Sequence, residues 1–300
     1  LGGLSAGLFV LSALLTFFGG QPFRSLARAG ALVAPFPVAI GCLILIFDLG
    51  NPLRFWRLFS TIQWTSPMSV GSWLLVIFTG VAFLHAALWK FPESPDSLQF
   101  RKWTVRLPGA DLRRTWRRLL AAVGIPLGLG VGIYTGVLLG AIPARPFWNT
   151  PMVAMLFLFS ALSTATAVLL IVASRKGGTS DSFATQRRVL YSADIGIILM
   201  EIFLVIPYIL HNALSTASQA DSLALVLGGP FTWSFWIGFV ALGLLIPLLI
   251  ELFDLLPLIA GKAHTSHNKF FGYLSGVLVL VGGFMLRWVF VHAGQVSHFG

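Results

Sequence analysis

The chain has 300 residues, 57% hydrophobic and only 10% charged, with a mean hydropathy of +0.87. Soluble domains carry roughly 25% charged residues, and no soluble core of this size absorbs so many apolar side chains. Composition therefore excludes an ordinary soluble enzyme and leaves an all-α integral membrane protein, with the formal charge of +10 pointing to topology and anionic headgroups rather than to nucleic acid.

Apolar runs of about 20 residues, each long enough for a bilayer core of about 30 Å, recur along the chain. They predict eight transmembrane helices, at about 1–18, 31–47, 69–90, 118–141, 150–173, 190–214, 233–257 and 270–293. The first run, "LGGLSAGLFVLSALLTFF", opens on Leu1 as if inside a span and shows no cleavable signal pattern. A short preceding piece is therefore expected. The single cysteine, Cys42, lies in the second run and reads as apolar filler. The third connection, Lys90 to Arg118, is charged and proline-bearing but too short for a domain.

Lys and Arg counts orient the chain. Connections after the odd-numbered spans hold sixteen of them and those after the even-numbered spans three, Arg287 being inside the last span. Positive residues stay in the cytoplasm, so both termini are expected to be periplasmic. One polytopic domain, 1–300, accounts for the whole chain. "FVLSALLT" in span 1 and "FLFSALST" in span 5 echo each other weakly, suggesting an internal repeat of 1–141 and 150–293 and two four-helix bundles.

The outer connections are poor in charge and rich in aromatic residues, glycine and proline. They include "FDLGNPLRFWRLFSTIQWTSPMSVGSW" (47–73), "AIPARPFWNTP" (141–151) and "LGGPFTWSFW" (227–236). An interfacial aromatic belt explains single tryptophans. A docking surface explains why whole stretches gather on one side, with Arg54 and Arg57 available for acidic partner residues and Phe55, Trp56 and Trp64 for buried area.

Ionisable groups inside a membrane are functional candidates by default. In span 6, Asp194, Glu201 and Tyr208 are spaced by seven and share one helix face about 10 Å apart, with His211 one turn further. This row reads either as a proton path or, for Glu201, as a structural pairing with Arg287. In "GIYTGVLLGAIP", Tyr134 stands among Gly132, Thr135 and Gly136. Such small neighbours admit a backbone or a flat ligand. Its hydroxyl suits a quinone carbonyl, or equally a neighbouring backbone group. Asp48 caps the turn before Gly50 and Pro52, pairs with Arg54 or Arg57, or exchanges a proton with a redox ligand.

Of six histidines, only His85, His211 and His292 lie in or near spans, and His85 is at the opposite end from the others. Two buried haems need four such ligands, so a single haem between His211 and His292 is the only remaining arrangement. His264 and His267 in a cytoplasmic connection are a weak metal signal.

"FDLGNPLRFW…SPMSVGSW", "GIYTGVLL", "PFWNTPMVAMLFLFSALSTATA", "MEIF" and "GGFMLRWVFVHAGQ" together resemble, in order and over nearly the whole chain, the NrfD / polysulfide-reductase membrane-subunit family. The resemblance implies a haem-free, metal-free anchor in the bacterial inner membrane that oxidises menaquinol (or ubiquinol) near the periplasmic face. Its implied partners are a periplasmic iron–sulfur subunit with several four-iron–four-sulfur clusters and, beyond it, a molybdopterin subunit or a multihaem cytochrome. Tyr134 matches the family's quinone-contacting tyrosine; Asp48, Ser5 and Arg287 are further candidate contacts, and Asp48 and Glu201 candidate proton carriers. Asn51 departs from the family, which often has arginine there. The alternatives are a quinone reductase fed by a dehydrogenase and, in another class, a secondary transporter, although no matched pair of broken helices stands out.

Overall fold

The computed structural model of the chain describes residues 1–48, 50–60, 63–90, 97–100, 103–106, 110–176, 181–259 and 269–297. The Asp48 side chain, His264 and His267 lie outside the described residues. Helices α1 (Gly2–Phe18), α2 (Gly20–Val33) and α3 (Pro35–Asp48) are followed by the single turn α4 (Arg57–Ser60) and by α5 (Pro67–Lys90). Then come α6 (Ala110–Gly140), α7 (Met152–Lys176), α8 (Asp181–Leu214), α9 (Ala217–Leu223), α10 (Ile246–Ile259) and α11 (Lys269–Val296).

Seven helical stretches among the described residues are long and apolar enough to cross a membrane: Gly20–Phe47, Pro67–Lys90, Asp111–Gly140, Met152–Arg175, Ala184–Leu214, Ser234–Leu256 and Phe270–Val296. The eighth expected span is α1, an apolar helix of 17 residues.

Helix α1 sits centrally, packed against α2, α3, α6 and α7. Residues Ser5, Ala6, Leu8, Phe9, Ser12 and Ala13 are all buried. Lipid gives helices little hydrophobic reason to associate, so small residues and hydrogen bonds carry the contacts. A Cβ on Gly7 would fall 2.2 Å from the Ala161 carbonyl oxygen of α7. Ser12 donates to the Ala27 carbonyl at 2.6 Å, and Ser5, seven residues earlier, donates to the Ala34 carbonyl.

Residues 20–30, expected as a connection, form most of α2. Its buried Phe23, Leu26, Ala27, Gly30 and Ala31 follow helical periodicity, so its polar face is solvated while the other covers α1. Helices α6 and α8 likewise start well before their apolar windows, because charged residues propagate a helix that hydropathy alone does not register. In the third connection Ser97–Phe100 pairs antiparallel with Trp103–Arg106, an addition to the all-α expectation. The two-residue link between these segments is the length that closes a hairpin.

Ahead of α10, residues Ser234–Leu245 form a wide π-helical stretch. Pro247 has no N–H for the Gly243 carbonyl, and that missing bond accounts for a register change upstream. Here Gly243 and Gly282 cross so closely that a Cβ on either would lie within 2.5 Å of the other's Cα.

Among the described residues two large buried clusters and a small third one, of Ala27, Ala31 and Trp89, fill the interior. One large cluster gathers Leu8, Phe9, Phe78, Val131, Leu169 and Tyr191 around α1. The other gathers Phe147, Phe157, Tyr208, Phe235 and Phe290 around α8 and α11. In the second cluster the Tyr208–Phe290 and Phe147–Phe290 ring centroids are 5.1 and 5.4 Å apart, each such contact contributing about 1 kcal/mol beyond area burial.

Candidate functional site

Tyr134 lies half-buried on α6 and its ring rests on the backbone of α5. A Cβ built on Gly71 would fall 1.7 Å from Tyr134 Cζ and 2.2 Å from its hydroxyl oxygen. Only glycine leaves that space, and it stands in the segment "SPMSVGSW". On the other side, a Cβ on Gly136 would meet Ala154 Cα at 2.4 Å and one on Gly132 would meet Leu158 Cδ1 at 2.9 Å. The ring is thus fixed by glycines on both helices, and its hydroxyl makes no hydrogen bond among the described residues. An oriented donor without an acceptor, in apolar surroundings, is suited to a ligand carbonyl.

Ser5 and Arg287 flank the same region from α1 and α11. Ser5 is fully buried and its hydroxyl is used by Ala34. Arg287 donates to Ser160 Oγ at 3.1 Å and to the Gly283 carbonyl at 2.7 Å, and its guanidinium stands 5.6 Å from the Phe157 ring centre. A Cβ on Gly3 would lie 2.9 Å from Arg287 Nη2, and one on Gly2 would lie 3.8 Å from Val131 of α6. The first turn of α1 is therefore wedged between the arginine and the tyrosine helix.

From Arg287 a line of buried polar groups continues along α8 and α10. Glu201 is buried and its Oε1 lacks a donor among the described residues. Among the described residues no close ion pair joins it to Arg287, whose N–H groups point elsewhere along α7 and α11. Asp194 Oδ1 accepts from Ser163 at 2.9 Å, and Glu251 Oε1 accepts from Ser275 at 2.7 Å. The two carboxyl groups lie near each other, and Asp194 Oδ2 and Glu251 Oε2 have no hydrogen-bond partner among the described residues.

One turn along α10, Asp254 pairs with Arg187 and accepts from Tyr191 at 2.9 Å, while Arg187 also donates to Tyr191 at 3.0 Å. Asp254 follows Glu251 by three residues on α10. Glu251, Asp254, Arg187 and Tyr191 thus join Asp194 and Glu201 in one row. Sequence reasoning passed over them, although an acid inside "LLIELFDLL" carries the same signal that singled out Glu201.

Tyr208 and His211 occupy the far end of α8. Tyr208 is buried and donates to the Phe147 carbonyl at 3.1 Å, pinning the turn Pro146–Trp148, whereas His211 is exposed. That turn is further held by Trp148 Nε1 donating to the Phe290 carbonyl at 2.6 Å and by Arg145 donating to the Gln295 and Ser297 carbonyls. His292 is also exposed, its Nδ1 2.9 Å from the Trp288 carbonyl.

Beyond α3 the chain displays an apolar patch. Phe47 is 76%, Leu53 91% and Trp64 82% exposed, and Arg54, Phe55, Trp56 and Arg57 are exposed beside them. The Arg57 guanidinium lies 5.8 Å from the Trp56 ring centre.

Long apolar helices, with Tyr134 near one end and buried acids in the interior, define a multi-pass membrane protein. The family described as "Polysulphide reductase, NrfD" matches residues 1–298, and the chain belongs to that family. It is 32% identical to Protein NrfD of Escherichia coli strain K12 over 98% of this chain and 92% of that one. Identity is also 32% to a chain of the polysulfide reductase of Wolinella succinogenes, over 98% and 91%. A subunit of the selenate reductase of Mesobacillus selenatarsenatis is 27% identical over 99% of this chain and 72% of its own length.

Proposed function

We propose that the chain is the quinol-oxidising membrane subunit of a respiratory reductase, set in the bacterial inner membrane with its partner face periplasmic. The observation that carries this reading is the Tyr134 hydroxyl, fixed against Gly71 with no acceptor among the described residues. The names of the relatives support it, since a polysulfide reductase chain and a selenate reductase subunit both belong to multi-subunit reductases.

In this reading Tyr134 donates to one oxygen of menaquinol and sets the ring between α5 and α6. Asp48, at the end of α3, is the candidate group for taking a proton at the same end, and Arg287 holds the first turn of α1 on the other side. Oxidation of the quinol releases two electrons and two protons. The electrons pass to an iron–sulfur subunit docked on the patch formed by Arg54, Phe55, Trp56, Arg57 and Trp64, and from there to a catalytic subunit that holds the terminal substrate.

Glu201, Asp194, Glu251 and Asp254 supply a second proton route. Asp194 and Glu251 pass a proton between their neighbouring carboxyl groups while Ser163 and Ser275 each hold one oxygen, and water bridges the gap of about 10 Å to Glu201. Proton translocation is thus a property of the α8–α10–α11 half, and quinol chemistry of the α1–α5–α6 half.

The test is a preparation of the protein with whatever subunits accompany it from native membranes. A copurifying quinone, a cluster-bearing subunit and oxidation of a reduced naphthoquinol by the complex are the expected results. Absence of quinone together with no naphthoquinol oxidation overturns the reading, and reduction of added quinone by a reduced partner without the reverse reaction assigns the opposite direction.

A further inference from the structure

At the end of the bundle opposite Tyr134, where α1 and α5 finish and α2 and α6 begin, there is a cavity of about 390 Å³. It is of the size that takes small ligands. Arg24, Arg114, Arg117 and Arg118 line it, together with the acid Asp111 and with Gln21 as a neutral donor. Tyr134 and Arg117 are seventeen residues apart on α6, about 25 Å, so this is a separate place from the proposed quinol niche.

Its floor is built rather than incidental. Arg117 is buried and its guanidinium stacks 4.7 Å from the Trp89 ring centre. Trp89 in turn donates through Nε1 to His85 Nε2 at 3.1 Å, and His85, fully buried, meets Phe9 with ring centres 5.1 Å apart. The remaining ring nitrogen of His85 has no partner among the described residues. A buried arginine against an indole, with the exposed Arg114 three residues before it and the exposed Arg118 next to it, gathers the positive charge and N–H donors that phosphate oxygens take.

One side of the cavity is apolar. Leu15 and Phe17 line the cavity, and beside it Phe18 is 84% and Trp116 49% exposed, marking the level where aromatic side chains meet headgroups. A free anion has no use for such a wall; a lipid has, because its acyl chains leave along it. Basic pockets between transmembrane helices take anionic headgroups.

We infer that this cavity binds the phosphodiester headgroup of an anionic phospholipid, with Arg114, Arg117 and Arg118 on the phosphate and Leu15 and Phe17 along the first acyl methylenes.

The full-length protein, purified in a mild uncharged detergent, is titrated with tetraoleoyl cardiolipin, dioleoyl phosphatidylglycerol, dioleoyl phosphatidylcholine and inorganic phosphate. Bound lipid is counted by native mass spectrometry and the unfolding midpoint recorded in parallel. One anionic lipid should bind saturably and raise the midpoint, whereas phosphatidylcholine and inorganic phosphate should do neither. Arg114→Gln with Arg118→Gln, both at exposed positions, should keep the lipid-free midpoint and lower anionic-lipid retention on the order of tenfold or more. Arg114→Lys with Arg118→Lys should retain most of the binding. Undiminished retention in the glutamine variant overturns the inference, as does an equal loss in the lysine variant. Displacement of the lipid by inorganic phosphate, or the same midpoint rise with phosphate alone, shows a free-anion site and also overturns it.

Discussion

Tyr134 and Gly71 are one device made of two residues from distant parts of the chain. The tyrosine was legible in the sequence because its small neighbours crowd around it in one short motif. Gly71 was not, since nothing in "SPMSVGSW" says which helix the glycine meets. Removing the hydroxyl with Tyr134→Phe costs one hydrogen bond, about 1 kcal/mol. That is a rise of roughly fivefold in the KM for naphthoquinol, with little change in protein yield. Gly71→Ala should cost more, because the new Cβ would overlap the ring at 1.7 Å and Tyr134 must swing away. Naphthoquinol oxidation and retained quinone should both fall below the Tyr134→Phe values. A Gly71→Ala complex with wild-type kinetics would show that the contact does not position the ring.

At the scale of elements, most boundaries were readable where an apolar window met a glycine, proline or charged cluster. They blurred where a charged segment continued the helix, as at the starts of α6 and α8. Helix α2 escaped because its apolar stripe is narrow and mean hydropathy averages it away; its period, from Phe23 to Ala31, was there to be counted. Helix α1, packed on α2, α3, α6 and α7, is held by close contacts with its neighbours. Gly7 is where that shows, with the α7 backbone 2.2 Å from any Cβ added there. Backbone cannot give way as a flexible side chain does, so Gly7→Leu should separate α1 from α7 and destabilise the fold by about 3 kcal/mol. Lower membrane abundance and a lower unfolding midpoint are the expected readouts. Gly50→Leu is the comparison, since a Cβ there meets nothing within 4 Å; equal losses in both would remove the argument from packing.

For the molecule as a whole, one end offers an apolar patch and the other a basic cavity, and both follow from charge distribution along the chain. The stretch proposed to dock the partner is a dense aromatic run in the sequence, and Trp56 and Arg57 stand exposed in it. Central tryptophans and arginines at interfaces typically contribute about 2 kcal/mol or more each. Trp56→Ala with Arg57→Ala should therefore strip the partner subunit during detergent extraction while leaving quinone bound to the membrane protein. Full retention of the partner would mean that the electrons leave elsewhere.

The row of acids belongs to the same scale, because it matters only if the two faces of the bundle differ. Quinol oxidised and discharged at one face moves no charge across the bilayer, since electrons and protons leave on the same side. A potential requires protons drawn from the arginine-rich face, and the buried groups leading from there are Asp254, the Asp194–Glu251 pair and then Glu201. Half of this row was legible as a seven-residue spacing in α8. The other half was hidden because Glu251 and Asp194 are 57 positions apart in sequence and meet only when α10 folds against α8. Glutamine keeps the shape and hydrogen bonds of glutamate but cannot release a proton, so Glu201→Gln and Glu251→Gln separate conduction from packing. In proteoliposomes fed naphthoquinol and a terminal acceptor, each variant should turn over more slowly or lose its membrane potential, with quinone binding unchanged. Ser275→Ala, which leaves the carboxyl but removes its 2.7 Å donor, should fall between wild type and Glu251→Gln. Wild-type turnover and potential in both glutamine variants would assign the acids to packing alone and leave the bundle an electron carrier without a pump.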